Sequence, residues 1–185
     1  MRTDLYVSMR RSGIDPGTLK ELHRILLTTD GTVTDILEAY HRERMTVVAL
    51  RQDTVPASTL PRAQQVALGI ETTPDAEVLT REILLRGEIS ESCHVYATSV
   101  IVLDRLAAPV RLGLLDKKQP IGHLLLEHRI ATFKEIIDCH RDPAGALAPH
   151  FGISDRAPML SRTYVVSVAN QPLMFITEKF PEFGR

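Results

Sequence analysis

Apolar residues recur along this chain with two different periods, and the switches between them set an expected order of elements. Leu19, Leu22, Ile25 and Leu26 fall at helical spacing with Lys20, Glu21 and Arg24 outside. Asp15 and Pro16 supply a helix start, and Asp30-Gly31 a stop. Val33, Ile36, Leu37 and Tyr40 form the stripe of a second short helix, capped by Thr32 or Thr34. The corner Asp30-Gly31-Thr32 turns backbone N–H groups outward and is a candidate pocket border. From Met45 the period becomes that of a strand. Strands are expected at 45–50, 76–85, 94–103 and 130–139, and a closing hairpin at 161–168 and 172–180 that turns through Ala169-Asn170-Gln171.

The intervening stretches read as connections. Residues 52–74 carry Pro56, Pro61 and Pro74 with one helical run at 63–68, and such a long connection is expected to be a flap or a surface crossover. Residues 86–92 turn a hairpin, 104–116 form a short helix or turn, Pro120 opens a helix ending near His128-Arg129, and 140–160 form a loop. Residues 1–14 read as a loosely ordered lead-in to a single domain spanning 1–185. The expected fold is α+β, with one six-stranded, mainly antiparallel sheet and helices on one face.

Two strands break their own pattern. Side chains alternate along a strand, so Met174, Ile176, Glu178 and Phe180 share a face, as do Leu79, Arg81, Ile83 and Leu85. A carboxylate or a guanidinium on an apolar face either reaches the wet edge of the sheet or needs a partner inside. Two such residues on distant strands suit a small, largely apolar, anionic ligand, because arginine grips a carboxylate with two N–H groups. Desolvation would keep Glu178 protonated, whereas an ion pair with Arg81 would keep it ionised, and spacing alone leaves both open.

Composition narrows the field of functions. A net charge of −1 offers no pull toward nucleic acid or an anionic membrane surface. No apolar run approaches the roughly 20 residues that cross a bilayer, and the first residues lack the apolar core of a signal peptide. Cys93 and Cys139, far apart and without CxxC spacing, suggest a reducing cytoplasm rather than a disulfide frame or a zinc site. His123 and His128 are five apart and the other histidines are scattered, so no metal is expected. No Walker loop, dinucleotide fingerprint, GxSxG or HExxH is present.

Three segments, in order, resemble chorismate pyruvate-lyases. Leu79-Thr80-Arg81-Glu82-Ile83-Leu84-Leu85 is similar to the family's LREILL strand, and Gln119-Pro120-Ile121-Gly122-His123-Leu124-Leu125 to its TPLGRYLF segment. Residues 170–180, around Pro172-Leu173-Met174-Phe175-Ile176-Thr177-Glu178, resemble its GKPLLLTELF hairpin. The likeness spans most of residues 18–182. Asp30-Gly31-Thr32-Val33-Thr34, Val102-Leu103-Asp104-Arg105-Leu106 and Thr132-Phe133-Lys134-Glu135 resemble a branch of the family found in actinobacteria, cyanobacteria and archaea.

The resemblance implies a six-stranded antiparallel sheet with the ligand enclosed under helical flaps. It also implies a cofactor-free and metal-free reaction that splits chorismate into 4-hydroxybenzoate and pyruvate. By position, Arg81 matches the arginine that grips the ring carboxylate and Glu178 the glutamate at the hydroxyl end of the product. Ile121 and Val33 stand where the family has a pocket-wall leucine and methionine. Lys134 is assigned to the second carboxylate, and Thr32 adds a hydroxyl at the flap. The expected partners are chorismate and 4-hydroxybenzoate, with neither nucleic acid nor membrane, and the protein is expected to be a monomer or small homo-oligomer. A rival reading is a stand-alone sensor of aromatic carboxylates, since the same fold serves as the effector-binding module of transcription regulators. A lyase acting on a related chorismate-derived acid is a further alternative. Residues 1–44 are too short for the winged helix-turn-helix those regulators carry.

Overall fold

The computed structural model describes residues 9–115 and 120–182. A 3-10 turn at Pro16–Thr18 leads into helices α1 (Glu21–Thr28) and α2 (Val33–His41), followed by strand β1 (Met45–Pro56). Helix α3 (Arg62–Leu68) connects β1 to the hairpin of β2 (Glu77–Gly87) and β3 (Cys93–Val102). Helices α4 (Ala108–Leu115) and α5 (Ile121–Glu127) precede β4 (Phe133–Pro143) and helix α6 (Ala148–Phe151). The closing hairpin is β5 (Pro158–Val168) with β6 (Gln171–Pro181). All six strands form one antiparallel sheet in the order β1-β2-β3-β6-β5-β4, so the C-terminal hairpin inserts beside β3 and lies in the middle.

The sheet is the expected one, but its two edge strands are longer than the alternation suggests. A bulge in β1 between Ala49 and Arg51 shifts the phase. Before it Val47 and Ala49 pair with Leu85 and Ile83; after it Gln52 and Thr54 pair with Arg81 and Leu79. One face therefore reads odd and then even, which hid the last five residues of the strand inside the apparent 52–74 connection. β4 has the same irregularity between Ile136 and Asp138, which lets residues 140–143 continue as strand where a loop was expected. Bulges at both edges also twist unpaired backbone away from neighbours.

Other expectations are revised by packing. Asp15 caps the 3-10 turn, accepting from the Gly17 N–H at 2.9 Å, and α1 begins only at Glu21. Met9 and Ile14, placed by the sequence reading in a loosely ordered lead-in, are fully buried with Leu27, Leu37, Leu160 and Phe180; residues 1–8 lie outside the described residues. Position 116, the end of the expected 104–116 segment, lies outside them as well. Residues 57–70 bury Ala57, Leu60, Leu68 and Ile70 against Val78, Val100 and Phe175, on the sheet face opposite Arg81 and Glu178. That stretch is a cover for the far face, not a flap over the site.

Beside the turn of the β2–β3 hairpin, the buried His94 ring stacks on His41 with centroids 3.8 Å apart, and neither of its nitrogens has a hydrogen-bond partner among the described residues. Burial, then the neighbouring His41, push its pKa from 6.5 down to about 4. For a base whose folded pKa is depressed, the unfolded chain takes the proton first, so stability is intact above 6.5 and lost as pH falls toward 4. Urea unfolding should show lower stability at pH 5 than at pH 7, with His94 contributing on the order of 1–2 kcal/mol beside smaller contributions from His23 and His41, whose pKa values burial also lowers. The difference should shrink in His94→Asn.

Candidate active site

The strand pairing explains why charged groups from distant segments meet on one face. Arg81 lies opposite Ser99, Ser99 opposite Ile176, and Ile176 opposite Tyr164. Glu178 sits one step along, paired with Ala97 on β3 and with Arg162 on β5. With strands about 4.8 Å apart and about 3.3 Å of rise per residue, the Arg81 and Glu178 Cα atoms are separated by about 12 Å. Two long side chains reaching inward from that distance leave room between them for one six-membered ring. Lys134 approaches from the opposite edge, on β4, beside Val166.

These three residues line one cavity of about 280 Å³. Its floor is the sheet, including Ser99, Tyr164, Met174 and Ile176, and its roof is the α1–α2 corner with the start of α5. Thr32, Val33 and Ile121 are among the roof residues, so all six residues singled out from the sequence face the same space. Gln119, the first residue of the segment that carries Ile121, lies outside the described residues. Thr32 stands at the N-cap of α2, but its hydroxyl makes no capping bond. The roof is tightly seated: a Cβ on Gly122 would meet the Thr32 methyl at 2.5 Å, so glycine is what lets α5 approach the corner.

Arg81 is 4% exposed, and its Nε and Nη2 have no hydrogen-bond partner among the described residues. Burial lowers its pKa. A guanidinium left in this state costs several kcal/mol unless an anion joins it. Arg81 is among the residues that line the cavity.

Glu178 is in the opposite condition. One carboxylate oxygen accepts from Arg162 Nε at 2.8 Å and the other from the Tyr164 hydroxyl at 3.0 Å, and all three side chains are buried. The ion pair weighed from the sequence therefore exists, but with Arg162 rather than Arg81. Burial works to lower the Arg162 pKa, but the Glu178 carboxylate, with Tyr164 and Cys139 adding to it, carries the value up. Burial, then Glu178, raise the Tyr164 phenol well above its usual range, so it stays a donor. The sequence reading missed Arg162 and Tyr164, although Leu160, Arg162, Tyr164 and Val166 show the interrupted apolar face that singled out Arg81.

Lys134 Nζ donates to the Gly31 carbonyl at 2.7 Å, and Arg162 Nη1 donates to the Thr29 carbonyl, also at 2.7 Å. Two cations rising from the sheet thus hold the corner over the cavity. Burial lowers the Lys134 pKa, with Glu178 opposing. Outside the cavity, Asp35 and Glu38 of α2 and His123 of α5 bring ligand atoms within 4.8 Å of one another. Glu38 already accepts from the Met45 N–H, and His123 lies 3.1 Å from Asp35, so the group acts as a clasp between the two roof helices. Among the described residues no helix is long and apolar enough to cross a membrane.

Comparison with known proteins adds to this geometry. A family described as Rv2949c-like chorismate pyruvate-lyase matches residues 27–183. A chorismate pyruvate-lyase of Mycobacterium tuberculosis is 33% identical over 162 residues, covering 85% of this chain and 78% of the relative. A protein of the same name from Mycobacterium leprae is 29% identical over 159 residues, covering 85% and 72%. Among solved structures, the effector domain of PhnF from Mycobacterium smegmatis superposes with a TM-score of 0.62 at 16% identity, covering 82% of this chain and 88% of that one. That last likeness concerns the fold alone.

Proposed function

The chain belongs to the Rv2949c-like chorismate pyruvate-lyase family, and on that premise we propose that it converts chorismate to 4-hydroxybenzoate and pyruvate in the cavity between Arg81, Lys134 and Glu178. The observation that supports this reading best is Arg81, which lines a cavity of about 280 Å³ and carries a buried guanidinium with two nitrogens that have no hydrogen-bond partner among the described residues. A planar carboxylate on a ring satisfies both nitrogens at once. Chorismate carries two carboxylates, and the site offers two cations toward it from opposite sides of the sheet, Arg81 on β2 and Lys134 on β4.

The reaction asks the protein mainly to hold and orient. The C3–O bond to the enolpyruvyl group breaks, the C4–H bond breaks, a C3–C4 double bond forms, and the ring becomes aromatic. The C4 proton ends on the methylene carbon of the departing enolpyruvate, which leaves as pyruvate, so atoms and electrons balance without an oxidant or a metal. In this reading Arg81 fixes the ring carboxylate. Lys134 meets the enolpyruvyl carboxylate and favours the charge that develops as the C3–O bond opens. Glu178 accepts from the C4 hydroxyl and so sets the direction of the C4–H bond. Its two existing hydrogen bonds, one from a guanidinium, support an ionised carboxylate that positions rather than one that donates a proton. Val33, Ile121, Met174 and Ile176 give the ring an apolar enclosure that excludes water.

The test is direct. Purified protein mixed with chorismate should release 4-hydroxybenzoate and pyruvate in equal amounts. Binding of chorismate without release of either product would favour a sensor of aromatic carboxylates instead.

A further inference from the structure

Arg162 does not line the cavity, yet it touches what lies below the cavity and what closes it. Its Nε holds Glu178 Oε2 at 2.8 Å, its Nη1 holds the Thr29 carbonyl at 2.7 Å, and its guanidinium carbon lies 5.0 Å from the centre of the Tyr164 ring. It is 1% exposed, one of the most deeply buried large side chains in the protein. Burying a charge this deeply in order to bind one surface carbonyl would be a poor arrangement for stability alone. The arrangement makes sense if the two ends must be held in register.

We infer that Arg162 is a positioning residue that fixes the Glu178 carboxylate and locks it to the Thr29–Gly31 corner, so that the protein discriminates ring ligands by their para hydroxyl. This rests on the reading of Glu178 as the group that meets the hydroxyl end of the ligand. The fork shape of the guanidinium is essential here. Two N–H groups pointing in different directions reach a carboxylate on β6 and a carbonyl above it at the same time, which a single ammonium centre cannot do with the same geometry. Tyr164 supports the same carboxylate from the other side, through its hydroxyl at 3.0 Å. Among the described residues, Glu178 without Arg162 retains the Tyr164 donor, and the corner retains the Lys134 tether to Gly31.

The consequence is measurable without turnover. Arg81 holds the carboxylate of benzoate and of 4-hydroxybenzoate alike, so the ratio of the two affinities reports the Glu178 end alone. Calorimetric titration of the wild-type protein should favour 4-hydroxybenzoate by about tenfold or more, the size expected of a hydrogen bond to a charged acceptor. In Arg162→Lys the preference should fall to about twofold or less while benzoate affinity and the unfolding temperature change little. Arg162→Gln, which retains a donor toward Glu178 but neither the fork nor the charge, is the second variant and should give the same loss of preference together with a fall in unfolding temperature, because the buried carboxylate loses its counter-ion. Preference retained in a folded Arg162 variant overturns the inference and leaves the proposed function standing. A wild-type protein that binds neither ligand overturns both.

Discussion

Replacing Arg81 by methionine is expected to abolish binding of ring carboxylates while leaving the unliganded protein at least as stable. The guanidinium is buried with two nitrogens that have no hydrogen-bond partner among the described residues, and its pKa is lowered by that burial. Methionine has similar length and carries no charge to desolvate, so stability should rise by about 1 kcal/mol or more. Binding should move the other way. A carboxylate that loses a buried bidentate partner forfeits about 3–4 kcal/mol, which is a loss of roughly 100- to 1000-fold in affinity. Thermal unfolding and titration with 4-hydroxybenzoate check both signs on one preparation. A drop in stability with unchanged affinity would show that Arg81 holds the fold and not the ligand.

Glu178→Gln is expected to give the opposite stability result. Its carboxylate already has partners, so neutralising it leaves the Arg162 guanidinium buried without its counter-ion. Breaking one side of such a pair should cost about 3 kcal/mol. Turnover of chorismate should fall by about 100-fold or more, because the amide no longer directs the C4 hydroxyl and the C4–H bond with it. A label separates positioning from proton transfer. With deuterium at C4, direct transfer across the substrate carries the label into the methyl group of pyruvate, whereas passage through Glu178 exchanges it with water. Retained deuterium in the wild-type product is the expected result. Full turnover in Glu178→Gln would remove the residue from the mechanism.

The contrast between these two residues was only half legible in the sequence. Alternation showed that Arg81 and Glu178 each interrupt an apolar face, and that signal survives because β2 and β6 are interior strands in regular register over those positions. It could not show which charge was already neutralised. Glu178 finds its partner in Arg162, sixteen residues earlier and directly across the β5–β6 hairpin, where the pairing register and not the spacing brings them together. The edges of the sheet were harder to read for a related reason. The bulges after Ala49 and Ile136 reverse which residues face inward, so a period-two pattern ends where the strand itself continues. The stretch after β1 resembled a flap because it is rich in proline. Its apolar residues cover the far face instead, and the actual roof is the corner at Asp30-Gly31-Thr32 together with the start of α5. Met9 and Ile14 show the limit of local patterns, since two isolated apolar residues have no period and become core only through tertiary packing.

The claim on which the rest depends is that the buried Arg81 guanidinium binds a ring carboxylate in a site that splits chorismate. Its most direct test is a parallel count of products from wild-type protein and Arg81→Met with chorismate as the sole substrate. One pyruvate for each 4-hydroxybenzoate from the wild type, and neither from the folded variant, is the predicted result. Equal release of both products by the two proteins would contradict it.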